Sequence, residues 1–217
     1  MKMPLIRFLT ALYLMALGTM GTAHAAEPVA GVDYRVISPA QPTLPGKEIE
    51  VIEFFWYGCP HCYELQPAMN AWLKKLPKDV KFRNVPAIFR DSWTPNARAF
   101  YALEAMGEGS RLHDKIFDAI HVDKIDLNSD QSLFSWLAKQ GVDEKKFRDT
   151  YASFAVQSKV ERSKQMSRSY QLQGTPSVVV DGKYLTAPSM TGSYERFTQV
   201  LDQLIAKARQ ERSGKKN

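Results

Sequence analysis

The chain has 217 residues, 44% hydrophobic and 24% charged, enough apolar side chain to bury a core without covalent staples. Its formal charge of +6 is not interleaved with aromatic residues, which argues against a nucleic-acid surface. Two cysteines argue against a disulfide scaffold, and a lone CxxC with four histidines argues against a zinc site needing about four well-placed ligands.

Lys2 and Arg7 form a basic start, Phe8 to Leu17 an apolar core, and Ala23-His24-Ala25 an A-x-A cleavage site. This is the pattern of a secretory signal. The core is shorter than the roughly 20 apolar residues a membrane span needs, and no later stretch is long enough. The expectation is a signal over 1–25 and a soluble, exported protein from Ala26 onward. Removing those 25 residues leaves 192, which suits one domain or one domain with an insertion. An oxidising destination matters for the thiols, because nothing there keeps them reduced by default.

Tyr34 to Ile37 suggests a short edge strand, and Pro39, Pro42 and Pro45 punctuate the loop after it. Glu48 to Trp56 is a near-continuous apolar run, as in a strand covered on both faces. Directly after it comes Cys59-Pro60-His61-Cys62. If a helix starts there, Cys59 takes the N-cap, Pro60 the first helical position, where its missing N–H costs nothing, and Cys62 the third. A thiolate at the N-cap faces the free amides of the first turn and the positive end of the helix dipole, which lower a cysteine pKa. His61, at the second position, brings an amide within reach of the Cys59 sulfur and a ring able to add charge or a donor. A structural disulfide would close too short a loop to stabilise much. Redox chemistry is therefore the leading reading, ahead of a staple, a metal site or an inert pair.

The helix carries Leu65, Met69, Trp72, Leu73 and Leu76 at core spacing, with Pro67 inside it, and stops at Pro77. Val80 to Val85 reads as a strand, completing a βαβ unit with parallel strands. The pattern then turns helical: a start at Thr94-Pro95 with a stop at Gly107, then stripes at Leu112 to Ile120, Leu133 to Leu137, Phe147 to Tyr151 and Val156 to Leu172. His113 and His121 lie eight apart on one of these helices and read as surface or core residues, since no third ligand accompanies them. Strand character resumes at Ser177 to Val180, and Asp181-Gly182 turns into Lys183 to Leu185. A final helix capped by Ser193 carries Phe197, Val200, Leu201, Leu204 and Ile205 before a basic end, read as solvated.

These residues resemble a thioredoxin-like fold with an inserted all-helical domain, and in particular the DsbA-type periplasmic thiol–disulfide oxidoreductases. The match rests on Phe-Trp-Tyr-Gly-Cys-Pro-His-Cys at 55–62, on Gly174-Thr175-Pro176 before an apolar strand, and on the placement of the helical insert. The implied division is a thioredoxin-like domain over 26–90 and 167–212, a helical insertion over 91–166 and a flexible basic tail over 213–217. The resemblance implies that Cys59 is the exposed nucleophile and Cys62 the buried resolving thiol, with Pro60 and His61 tuning them. It further implies that Pro176 is cis and lies beside Cys59, and that Thr175 and Trp56 position substrate. Glu53 falls where the family has a buried acid for proton transfer, but the residue aligned with its usual lysine partner is Asn84, with Arg83 on the other face.

The implied activity is donation of the Cys59–Cys62 disulfide to newly exported, unfolded proteins by a monomer in the periplasm. The implied partner is a quinone-linked inner-membrane reoxidase of the DsbB type, with no bound cofactor, no metal and no nucleic acid. A disulfide isomerase or reductase would use the same motif in the opposite sense. A non-catalytic peptide-binding chaperone would use the apolar surface around Trp56 and the insert.

Overall fold

The structure, a computed structural model, describes residues 26–214, so the expected signal over 1–25 and the last residues of the expected tail lie outside it. The strands β1 (Arg35–Val36), β2 (Ile49–Phe55), β3 (Val80–Pro86), β4 (Ser177–Val180) and β5 (Tyr184–Thr186) form one sheet in the order β1-β5-β4-β2-β3. β2 and β3 run parallel, joined by α1 (Pro60–Leu73), and every other neighbouring pair is antiparallel. All seven residues of β2 are buried, as its apolar run requires of a central strand.

After β3 the chain leaves the sheet through a 3-10 turn at Asp91–Trp93 and makes five helices. These are α2 (Thr94–Met106), α3 (Gly109–His121), α4 (Asp130–Lys139), α5 (Glu144–Tyr151) and α6 (Phe154–Ser169). It returns as β4, in the middle of the sheet. Asp181 and Gly182 both take positive φ, 52° and 62°, as a two-residue hairpin turn demands, and lead into β5. A short α7 (Pro188–Thr191), which no apolar stripe announces, precedes α8 (Tyr194–Gly214). Ser193 caps α8, its Oγ accepting from the Arg196 amide at 3.1 Å.

One face of the sheet packs on α1 and α8, where Leu65, Met69 and Trp72 meet Val200, Leu201 and Leu204. Trp72 is 6% exposed, and its Nε1 donates to Asp202 at 2.8 Å. Trp72→Ala should cost about 3–5 kcal/mol, visible as a lowered urea midpoint. A variant that unfolds like the parent yet fails to engage unfolded proteins would move Trp72 from the core to a binding surface. On the opposite face Ile52, Phe54 and Val179 meet Met166 and Tyr170 at the end of α6. A third cluster joins Phe55, Tyr57, Cys59 and Cys62 to Phe100, Leu112 and Phe117 of the helical insertion. The thiols thus lie where the two parts of the fold share a core.

Three local expectations change. Thr94 is the first residue of α2 and not its cap; Trp93 holds that position without a side-chain bond, because the 3-10 turn already leads the chain in. Leu76 falls beyond the end of α1. The basic end is not merely solvated: α8 runs to Gly214, past the expected tail boundary at 213, and its arginines reach back across the fold. Arg209 donates twice to Asp79, at 2.7 and 3.1 Å. Arg212 binds Asp181, the Thr43 hydroxyl at 2.6 Å and the Gly46 carbonyl at 2.8 Å. Partners so distant in sequence are invisible to a local reading. No helix among the described residues is long and apolar enough to cross a membrane.

Candidate active site

Cys59 is the N-cap of α1, with extended φ −88° and ψ 115°, and Pro60 opens the helix. The amides of Cys62 and Tyr63 each donate to the Cys59 carbonyl at 3.1 Å, closing the first turn. Both thiols are free, and neither is open: Cys59 is 7% exposed and Cys62 0%. The expected exposed nucleophile is therefore mostly covered. The cover is Thr175, whose carbonyl oxygen lies 3.3 Å from Cys59 Sγ and whose bond to Pro176 is cis. The loop before β4 thus lies on Cys59, because β4 is hydrogen-bonded along β2 and both strands reach this end of the sheet.

The two sulfurs differ sharply in acidity. Cys59 is lowered from 9.0 to about 5, chiefly by a hydrogen bond from the Cys62 thiol; burial opposes this, and the Thr175 side chain and the Cys62 and His61 amides assist. Cys62 is pushed well above 9.0 by burial first, then by Cys59, with Glu53 adding to the rise. One proton shared between two sulfurs, and held by the buried one, leaves the N-cap sulfur as the thiolate.

The His61 amide bonds Cys59, while its ring faces outward beside Glu64. The side chain is 75% exposed, and Nδ1 sits 3.2 Å from Glu64 Oε2. Trp56 stacks on Trp93 with ring centres 4.1 Å apart, and its Nε1 is buried without a partner. Glu53 is 2% exposed and stands opposite Asn84 in the β2–β3 register, as expected, while Arg83 binds Glu50 on the other face at 2.9 Å. Strand alternation puts Glu53 on the face of Phe55, toward α1. Its Oε1 has no partner, and neither does Asn84 Oδ1; burial raises the Glu53 carboxyl from 4.5 to about 8.

Beside the thiols runs a groove of about 710 Å³ lined by His61, Thr175, Pro176, Pro188, Met190 and Tyr194, among others. Sequence reasoning missed this wall, which α7 and the start of α8 supply. It also set aside His113 and His121. His113 Nδ1 is 3.0 Å from the Tyr57 hydroxyl, and His121 Nε2 is 2.8 Å from the Tyr57 carbonyl. The one available signal was their spacing on a single helix. No group of three or more histidine, cysteine, aspartate or glutamate residues suited to a metal occurs among the described residues.

The family model for the DSBA-like thioredoxin domain matches residues 50–203. The thiol:disulfide interchange protein DsbA of Burkholderia cepacia is 45% identical over 187 residues, 86% of this chain and 88% of its own. That of Azotobacter vinelandii is 41% identical over 209 residues, 96% and 98%. The crystal structure of Pseudomonas aeruginosa DsbA superposes with a TM-score of 0.81 at 38% identity, covering 88% of this chain and 97% of that one. With an acidic N-cap thiol, a buried partner and a cis-proline loop against Cys59, the chain belongs to the DSBA-like thioredoxin family of thiol–disulfide oxidoreductases.

Proposed function

We propose that this protein is a periplasmic disulfide oxidase, active as a monomer after export, that passes its Cys59–Cys62 disulfide to unfolded proteins arriving in the same compartment. A substrate thiolate attacks Cys59 Sγ; the Cys59–Cys62 bond breaks, and Cys62 leaves with the electron pair and takes up a proton. The substrate's second thiolate then attacks its own sulfur in the mixed disulfide and expels Cys59 as a thiolate. The substrate loses two electrons and two protons, and the pair gains the electrons. A quinone-linked inner-membrane partner of the DsbB type restores the disulfide, with no cofactor bound here.

The observation that carries the reading is the acidity of Cys59, lowered to about 5. A low-pKa thiol is the better leaving group, so the mixed disulfide resolves toward oxidised substrate. Thr175 and Pro176 hold the incoming segment against the sulfur, and the adjoining groove and Trp56 receive its side chains. Glu53 returns a proton to Cys62. The thiols belong to a discontinuous thioredoxin-like part, 26–90 and 167–212, overlaid by the helical part, 91–166.

Gel-shift trapping of thiols in cells tests the direction. A mostly oxidised pair supports the oxidase, and a mostly reduced pair replaces it with a reductase. Cys62→Ala should accumulate mixed disulfides with exported proteins, and Cys59→Ala should form none.

A further inference from the structure

His113 and His121 take no part in the thiol exchange, yet both are committed to one residue of the turn that precedes Cys59. His121 Nε2 lies 2.8 Å from the Tyr57 carbonyl. A carbonyl only accepts, so Nε2 carries the hydrogen and donates. His113 Nδ1 pairs with the hydroxyl of the same residue at 3.0 Å, and Tyr57 is 2% exposed. One helix, α3, thus grips both the main chain and the side chain of Tyr57. The His121 ring also stacks on Tyr63, one residue past Cys62, with centres 5.0 Å apart.

The gripped segment is a turn closed by the Cys59 amide on the Trp56 carbonyl at 3.0 Å. It sets the extended backbone of Cys59 that aims its sulfur at the first-turn amides, and the Trp56 amide bonds the Cys62 sulfur. The turn is tightly filled: a Cβ on Gly58 would come within 2.3 Å of the Trp56 indole. Trp93 closes its other side by stacking on Trp56. The sheet contributes the Phe55 ring, edge-on to Tyr57 with centres 5.0 Å apart, while His113, His121 and Trp93 all come from the segment after β3.

We infer that His121, with His113, is a positioning residue for the thiol pair: the helical insertion clamps the Trp56–Cys59 turn and so sets how strongly the Cys59 thiolate is favoured. The inference rests on Cys59 being the reacting thiol. His121→Ala frees the Tyr57 carbonyl and relaxes the turn, Tyr57→Phe removes only the His113 bond, and His121→Gln keeps a donor.

The test uses the full chain and reads two quantities, the Cys59 thiolate absorbance at 240 nm against pH and the equilibrium constant with glutathione. His121→Ala should raise the titration midpoint and shift the glutathione constant about fivefold toward a less oxidising pair, the size of one hydrogen bond's net contribution. Tyr57→Phe should move both the same way by less, and His121→Gln should recover most of the loss. A midpoint and constant matching the parent in both His121→Ala and Tyr57→Phe would overturn the clamp, as would a glutamine variant as impaired as the alanine one. If His121→Ala does not fold, Tyr57→Phe decides by the same criterion. The parent's own constant judges the oxidase reading separately: a thioredoxin-like value sinks that assignment and leaves the variant-to-parent ratios to judge the clamp.

Discussion

Raising the pH from 4 to 8 should stabilise the dithiol form relative to the disulfide form by about 2 kcal/mol, read as the change in the gap between their urea-unfolding free energies. The sign follows from Cys59. Its folded pKa of about 5 lies below its ordinary 9.0, so its stabilisation is complete above the unfolded value and lost as pH falls through the folded one. Between pH 4 and 8 this amounts to roughly 4 kcal/mol, and solvent reaching the sulfur halves it to about 2. Cys62, raised well above 9.0, stays protonated in folded and unfolded chains over this range and adds no slope. The chain-entropy effect of the disulfide does not depend on pH and cancels from the change. A gap that stays constant from pH 4 to 8, or a 240 nm midpoint above about 7, would remove thiolate stabilisation as the source of oxidising power.

Glu53→Gln should stabilise the disulfide form by about 3 kcal/mol at pH 7 and flatten its stability between pH 5 and 8. Here the sign is opposite. The folded pKa of about 8 stands above the ordinary 4.5, so the unfolded chain ionises first and stability is lost as pH rises from about 4.5 to 8. Burial alone causes the shift, and the partnerless Oε1 means that no hydrogen bond offsets it. Working in the disulfide form isolates this effect from the Cys59 titration. The same variant should slow the release of Cys62 from the disulfide while leaving the Cys59 midpoint in place, since the proposed proton carrier is gone and the helix amides are not. Parent-like stability at pH 7 would mean that water reaches the carboxyl and the acid is ionised in the fold.

Much of this architecture is legible in local pattern. The apolar run of β2, the stripe of α1, the hairpin at Asp181-Gly182 and the stripes at Leu112 to Ile120 and Leu133 to Leu137 each state a period, and each forms the element that period implies. Cys59 and Cys62 are legible because two thiols at helix-start spacing carry their own chemistry. Proline and threonine before β4 were legible only through family resemblance. What local pattern does not carry is pairing at a distance. Arg209 with Asp79, Arg212 with Asp181, and Tyr57 with His113 join residues that no window contains, and each looks unremarkable alone. The cover over Cys59 is of the same kind: an N-cap thiol reads as open until the loop that closes it is brought 116 residues back. α7 fails for another reason, being four residues long with none of them buried.

The position of β4 also has a consequence for the order in which the chain is made. β4 lies between β2 and β5, so the sheet has a missing centre until residues 177–180 exist. Thr175, which helps hold the Cys59 thiolate, arrives only just before them. A ribosome therefore completes the cysteines early and the environment that sharpens them late. A nascent or truncated chain ending before Gly174 lacks both the central strand and the Thr175 contact, so the full acidity of Cys59 waits for the residues from Gly174 onward.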